Sequence, residues 1–237
     1  KKHTWKINYK ARLKFAKTAK KAGIKTYIFN STCSIYGHND KLVKENSIKN
    51  PISTYAKANL KAEQSIYDLK NNNFHVYILR NATLFGFSKA LRLDLVINIF
   101  ALNIAKKQTL KIDGDGMQWR PFVSVKDVSR IYELILNKGK KSAIYNLVSF
   151  NFKVLEMAKK ILKLYNLKIN NLSYVGKNKD KRNYRVSNIK LLKDFPSFKF
   201  TDFNKDFKLL VSKLIKDKIN KNIKTIRLKF YKKLFIK

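Results

Sequence analysis

Three residues with the chemistry for proton handling stand close together in this chain: Thr32, Tyr55 and Asn59. Thr32 lies in the small-polar run Asn30-Ser31-Thr32-Cys33-Ser34, which follows the apolar triplet Tyr27-Ile28-Phe29 and leads into Ile35-Tyr36-Gly37. A buried strand that runs out into hydroxyl residues delivers them to its C-terminal end, where open α/β sheets bind ligands. Tyr55 sits in the first turn of a helix announced by Pro51-Ile52-Ser53-Thr54, with Ser53 or Thr54 as its cap and Asn71-Asn72-Asn73 as its stop. Tyr55 and Asn59 are four residues apart and share a helix face, whereas Lys57 and Lys61 point well off it. A strand-end hydroxyl and a helix-borne phenol form a candidate proton-transfer pair.

The elements that must hold these groups alternate along the chain. Residues 5–22 are helical in period, with Leu13, Phe15, Ala16, Ala19 and Ala22 apolar and Gly23 as the stop. The strand His75–Arg80 runs into Asn81-Ala82-Thr83-Leu84-Phe85-Gly86. Further on come a helix over 94–105, a strand over 109–112, a helix over 127–136, a strand over 143–148 and a helix over 154–165. Helices near 188–193 and 206–216 close the series. Asp113-Gly114-Asp115-Gly116 reads as a hairpin turn, too acidic to cradle phosphate and without the spaced carboxylates of a calcium loop. The alternation specifies an α/β fold.

Composition sets the outer bounds. The 237 residues are 45% apolar, enough for a sizeable core. The net charge of +38 is carried mostly by lysines scattered over every segment. Readers of nucleic acid concentrate charge and favour arginine, so this is a chain-wide bias rather than a dedicated nucleic-acid surface. No apolar run is long enough to span a membrane, and one cysteine, Cys33, fits a reducing, cytoplasmic setting. His3, His38 and His75 are far apart, which speaks against zinc. Neither a G-x-S-x-G elbow nor a P-loop is present.

Ser31-Thr32-Cys33-Ser34-Ile35-Tyr36-Gly37 followed by Pro51-Ile52-Ser53-Thr54-Tyr55 resembles the NAD-dependent epimerase/dehydratase family, the nucleotide-sugar branch of the extended short-chain dehydrogenases/reductases. That family carries a small-polar run ending V/I-Y-G and then P-x-S-x-Y-x-x-x-K. The resemblance implies that Thr32 is the active-site Ser/Thr and Tyr55 the acid/base tyrosine. Asn59 stands where the family has its lysine. A free phenol titrates near ~10, and a neighbouring ammonium normally helps it to ionise. Asn59 offers a dipole in place of that charge.

The resemblance carries further. Asn81 and Ala82 fall where the family backbone passes the nicotinamide, and Thr83 where a side chain faces substrate. Asn98 falls on the helix that contacts the nucleotide sugar. Arg120, in Arg120-Pro121-Phe122-Val123-Ser124-Val125-Lys126-Asp127-Val128, matches the family's diphosphate-binding arginine. A surface arginine paired with Asp115 or Asp127 is the alternative. Arg182 and Tyr184 fall in the segment that closes over the substrate. The implied cofactor is NAD, or else NADP, and the implied substrate a nucleotide sugar.

The 237 residues contain no G-x-x-G-x-x-G turn. The expectation is therefore an N-terminally truncated Rossmann-type parallel sheet with a small α+β substrate-binding portion. Residues 1–216 form it, divided at 85/86, and 217–237 add a basic amphipathic tail. The tail packs on the domain, frays, or touches an anionic membrane surface. Such a chain is expected to be impaired alone. The alternatives are a non-catalytic partner of a complete homologue, or a polyanion-binding module. The family pairs through helices corresponding to residues 5–22 and 54–70, which implies a homodimer or heterodimer.

Overall fold

The structure is a computed structural model that describes residues 1–176, 182–222 and 225–226. The chain opens as one continuous helical rod: α1 (Lys2–Trp5), a π-helical stretch (Lys6–Ala11) and α2 (Arg12–Lys21). Gly23, at φ 76°, turns the chain out of it. Next come β1 (Thr26–Thr32), a 3-10 turn (Cys33–Tyr36), β2 (His38–Val43), α3 (Thr54–Tyr67), β3 (His75–Asn81) and β4 (Thr83–Phe85). After them stand α4 (Val96–Ala105), β5 (Leu110–Asp113), β6 (Trp119–Ser124), α5 (Val125–Lys138), β7 (Ala143–Leu147) and β8 (Phe150–Lys153). The rest is α6 (Val154–Leu164), β9 (Leu172–Val175), β10 (Asn183–Val186), α7 (Ile189–Asp194) and α8 (Phe203–Lys216).

The central sheet has the order β1-β3-β7 and is parallel throughout. Its register runs from Thr26↔His75 to Thr32↔Asn81, and Asn81 in turn pairs with Leu147. Thr32 and Asn81 therefore end side by side at one edge. On one face β1 and β3 present Phe29, Val76 and Ile78 to Ala16 of α2 and to Ala62 and Ile66 of α3. On the other face Leu79 and Leu147 meet Ile131 and Ile135 of α5 and Leu191 of α7. Among the described residues no strand pairs with the outer edge of β1. This is a Rossmann-like α/β arrangement. Two small sheets, β4-β6-β8 and β5-β9, flank a second core in which Phe100, Phe122, Ile161 and Phe207 are fully buried, while Val43, Tyr184 and Val186 of the β10-β2 pair join the core that holds Leu79 and Ile131.

Several expectations need correction. Asp113 to Gly116 is a turn but not a hairpin: β5 leaves it to pair in parallel with β9, while β6 pairs with β4 and β8. The helix expected from Asp94 starts at Val96, because Arg92 holds the Asp94 carboxylate at 3.0 Å through both Nε and Nη2 and Leu95 is extended. Residues 38–43, where no element was expected, form a strand that pairs with β10. In the C-terminal segment Ile219 packs on the second core, and Leu93 N–H donates to the Thr225 carbonyl at 2.9 Å. Residues 223–224 and 227–237 of the expected amphipathic tail lie outside the described residues. No helix among the described residues is long and apolar enough to cross a membrane.

Candidate active site

The turn after β1 is built by its own hydroxyls. Thr32 is extended and caps the 3-10 turn, its Oγ1 accepting from Ser34 N–H at 3.1 Å. Gly37 then turns the chain at φ 67°, and an added Cβ would stand 1.8 Å from the Asn50 carbonyl oxygen. Only glycine permits that approach. It brings Asn50 and Ile52 against Gly37, just ahead of α3. Ser53 caps α3, accepting from Ala56 N–H at 3.1 Å. Tyr55 follows in the first turn with 45% of its surface exposed.

Asn59, one turn further, is fully buried. Its Nδ2 donates to the Tyr55 carbonyl at 2.8 Å, and its Oδ1 accepts from Arg12 Nη1 at 2.5 Å. The position where a lysine was implied is thus closed by a guanidinium from α2. Arg12 also stacks over Phe29, 5.4 Å from the ring centroid. Nothing in the sequence pattern flagged Arg12, which is 47 residues from Asn59.

Beneath this surface lies a buried polar hub. Arg80 of β3 is 2% exposed and forks onto Glu63 of α3, with Nη2 to Oε1 at 2.5 Å and Nε to both oxygens. Its Nη1 donates to the Tyr36 phenol and to the Glu45 carbonyl, each at 2.7 Å. Tyr36 donates to Asn146 Oδ1 at 2.7 Å, and Ser31 donates to Glu63 Oε2 at 2.7 Å. Every charged atom is matched, as burial of an ion pair demands. The hub ties α3, the turn and all three strands of the central sheet together, and so fixes where Thr32 and Tyr55 stand. Cys33 is 1% exposed with its Sγ directed at the Arg80 carbonyl, and burial pushes its thiol far up.

The remaining candidates divide. Asn81 donates through Nδ2 to Asn30 Oδ1 at 2.8 Å, while its own Oδ1 is a buried acceptor without a partner. Ala82 is 7% exposed, its N–H donating to the Leu147 carbonyl. Thr83 begins β4 and is partly exposed. Asn98 is occupied by backbone, accepting from Gly86 N–H at 3.2 Å and donating to the Arg92 carbonyl at 3.0 Å. Arg120 is 7% exposed, and its Nη1 donates to the carbonyls of Trp119 and Arg182. Asp127 pairs not with Arg120 but with Arg130 at 3.1 Å. Tyr184 is 4% exposed, with Ser34, Arg120 and Arg182 within electrostatic reach of its phenol. Burial pushes that phenol up to about 12, against the pull of Ser34 and the two arginines. Arg182 is exposed beside it, whereas Asp180 and Lys181 of the same expected segment lie outside the described residues. Hydrogen bonds join Thr32 to Ser34 and Arg120 to the Arg182 carbonyl, and Tyr184 lies within electrostatic reach of Ser34 and both arginines. Sequence reasoning missed Ser34, whose signal was its place two residues after Thr32.

The parallel order β1-β3-β7, with Thr32 and Asn81 side by side at its end, is a Rossmann-like α/β arrangement. Residues 1–147 match the NAD dependent epimerase/dehydratase family, and the chain belongs to it. The dTDP-D-glucose 4,6-dehydratase of Bos taurus is 32% identical over 151 residues, covering 62% of this chain and 41% of that protein. An uncharacterized UDP-glucose epimerase of Bacillus subtilis is 28% identical over 132 residues, covering 55% and 41%. The chain thus spans about two-fifths of these relatives' length. Among solved structures, the dTDP-glucose 4,6-dehydratase of Streptomyces venezuelae with NAD bound superposes with a TM-score of 0.78 at 20% identity, over 90% of this chain and 67% of that one. The UDP-N-acetylglucosamine 4-epimerase of Methanobrevibacter ruminantium gives 0.76 at 23%, over 89% and 69%.

Proposed function

We propose that this chain carries the acid/base and substrate-binding portion of an NAD-dependent nucleotide-sugar epimerase/dehydratase and that alone it is catalytically impaired. The observation that supports the reading is the pairing of Thr32 and Asn81 at one end of a parallel sheet, with Thr32 hydrogen-bonded to Ser34 and Arg120 held on the Arg182 carbonyl.

In this reading Tyr55 takes the proton of a sugar hydroxyl and Thr32 hydrogen-bonds the same oxygen. Arg120 faces the diphosphate, for which a planar, permanently charged fork is suited. Its two backbone acceptors hold the guanidinium in place before substrate arrives. The residues present fit NAD only in part. The partnerless Oδ1 of Asn81 suits an amide donor from the nicotinamide end. These 237 residues contain no G-x-x-G-x-x-G turn, and residue 59 meets Arg12 instead of a ribose.

Calorimetry tests both halves. Titration with NAD is expected to give no micromolar binding, and micromolar binding would overturn the impairment. UDP-glucose or dTDP-glucose is expected to bind the unaltered chain and to lose about tenfold or more with Arg120→Ala. Affinity indifferent to that change would overturn the substrate assignment.

A second reading, a partner subunit of a complete homologue, fits the outer edge of β1, with which no strand among the described residues pairs. The outward positions of the two helices implied in pairing carry Lys14, Lys17, Lys21, Lys57 and Lys61, all exposed. Two copies would set these lysines against each other, so a heteromer fits better than a homodimer. Co-expression with a tagged complete family member should then recover this chain with it, and a strictly monomeric outcome would count against the idea.

A further inference from the structure

We propose that the cavity between α3 and residues 44–50 binds a phosphate group, held by Lys49 and Arg80, at a site separate from the crevice at the end of the central sheet. The proposal goes beyond the functional reading and does not depend on it.

The cavity has a volume of about 440 Å³, and Lys49, Leu60, Lys61, Gln64, Arg80 and Ile144 stand in its wall. Small-molecule sites run from about 300 to 1,000 Å³. Thr32, Tyr55 and Arg120 take no part in it. Its floor is the buried hub. A guanidinium carries five N–H donors. In Arg80, Nε gives its proton to Glu63, Nη1 gives its two to Tyr36 and the Glu45 carbonyl, and Nη2 gives one to Glu63 Oε1. Each nitrogen is matched, yet the second N–H of Nη2 has no acceptor among the described residues. Arg80 is 2% exposed, and a buried donor without an acceptor is costly. The cavity is where an acceptor can stand.

Lys49 supplies the second group. It is half-buried, and its ammonium makes no hydrogen bond or ion pair with any described residue. Burial and the Arg80 guanidinium push it below the ordinary ammonium range, against the pull of Glu63. Glu63 cannot turn to it, because its two oxygens are engaged by Arg80 and Ser31. Lys49, Lys61 and Arg80 against Glu63 and Asp68 leave the wall with an excess of one positive charge. Water at the two donors would leave that excess, and the repulsion between Lys49 and Arg80, in place. A phosphate offers oxygens in several directions and meets the Nη2 proton and the Lys49 ammonium together. The space beside Leu60, Gln64 and Ile144 takes the organic part of a small phosphate ester. Bound there, the phosphate ties the chain ahead of α3 to β3. Glu45 already makes that link, its carbonyl accepting from Arg80 and its Oε1 from the Asn146 N–H.

Calorimetry of the whole chain with inorganic phosphate, at about 0.15 M salt to suppress diffuse attraction, tests this. Lys49→Met is expected to weaken binding at least about tenfold, the loss of a charged hydrogen bond. Lys49→Arg should retain it, and Lys17→Met, at an exposed lysine of α2, should leave it unchanged. Equal small losses for Lys49→Met and Lys17→Met would show only the pull of a +38 chain and overturn the proposal. So would the absence of measurable phosphate binding, or binding that Arg120→Ala abolishes and Lys49→Met does not. In an Arg120→Ala background, glucose 1-phosphate binding tighter than phosphate supports a phosphate ester as the occupant, and equal affinity supports free phosphate. No nucleotide sugar enters these measurements, so their outcome is independent of the functional reading.

Discussion

Replacing Asn59 with lysine, the residue the family carries there, is expected to damage this chain rather than repair it. Asn59 is fully buried, and Arg12 Nη1 lies 2.5 Å from its Oδ1. An ammonium in that place would stand about 4 Å from the guanidinium. Two unit charges at that separation repel by about 4 kcal/mol at an effective dielectric near 20. The Arg12 hydrogen bond is lost as well, about 1 kcal/mol more. The lysine can escape by shedding its proton, which from an ordinary value of about 10.4 limits the electrostatic part at pH 7 to about 4–5 kcal/mol. Arg12 is partly exposed, which screens some of this, so the expected loss is about 3–5 kcal/mol at pH 7. The sign of the pH dependence follows. A lysine whose folded-state pKa is depressed costs stability wherever the unfolded chain keeps it charged, so the deficit shrinks as pH rises towards 10. Urea unfolding at pH 7 and pH 10 of the unaltered chain, Asn59→Lys, Arg12→Ala and the double variant measures each part. The double variant should recover at least about 2 kcal/mol of the deficit as coupling. Asn59→Lys as stable as the unaltered chain at pH 7, or strictly additive losses, would refute the reasoning.

Glu63→Ala leaves Arg80 buried without its counter-charge and should cost about 3–5 kcal/mol in urea unfolding, where a loss below about 1 kcal/mol would contradict the hub. Asp127 is fully buried, and burial raises its carboxyl above the ordinary 3.8, against the pull of Thr201 and Arg130. A raised acid is most stabilising while protonated, so its contribution falls as pH climbs from 3.8 through the folded value. The stability difference between the unaltered chain and Asp127→Asn should decline over that range, and a flat difference would refute it. Cys33 should react with a thiol reagent only as fast as the protein opens, and labelling of the native chain within seconds would show that its burial is overstated.

The β1–turn–α3–β3 unit was legible because its signals are local: an apolar run, a hydroxyl cluster, a serine cap and a four-residue spacing. The smaller sheets were not. β2 reads His-Asn-Asp-Lys-Leu-Val, with only Val43 buried, and its strand character comes from β10, about 145 residues away. The aspartate turn looked like a hairpin because turn chemistry does not reveal which strands its flanks will join. Asn59 was recognised as a departure, but the sequence had no means to show Arg12 moving onto it. The hold of Arg120 on the Arg182 carbonyl was hidden likewise, since contacts across 62 positions leave no periodic trace.

The unpaired rim of β1 has a consequence for how the protein behaves in a tube. Among the described residues no strand covers the outer side of the seven-residue β1, and an edge left so invites intermolecular stacking. A net charge of +38 opposes that stacking at a distance. The protection is ionic, and its reach shrinks from about 30 Å at 0.01 M salt to about 8 Å at 0.15 M. Brine, the usual remedy for a sticky cationic preparation, would here remove the very repulsion that keeps neighbouring molecules from zipping together.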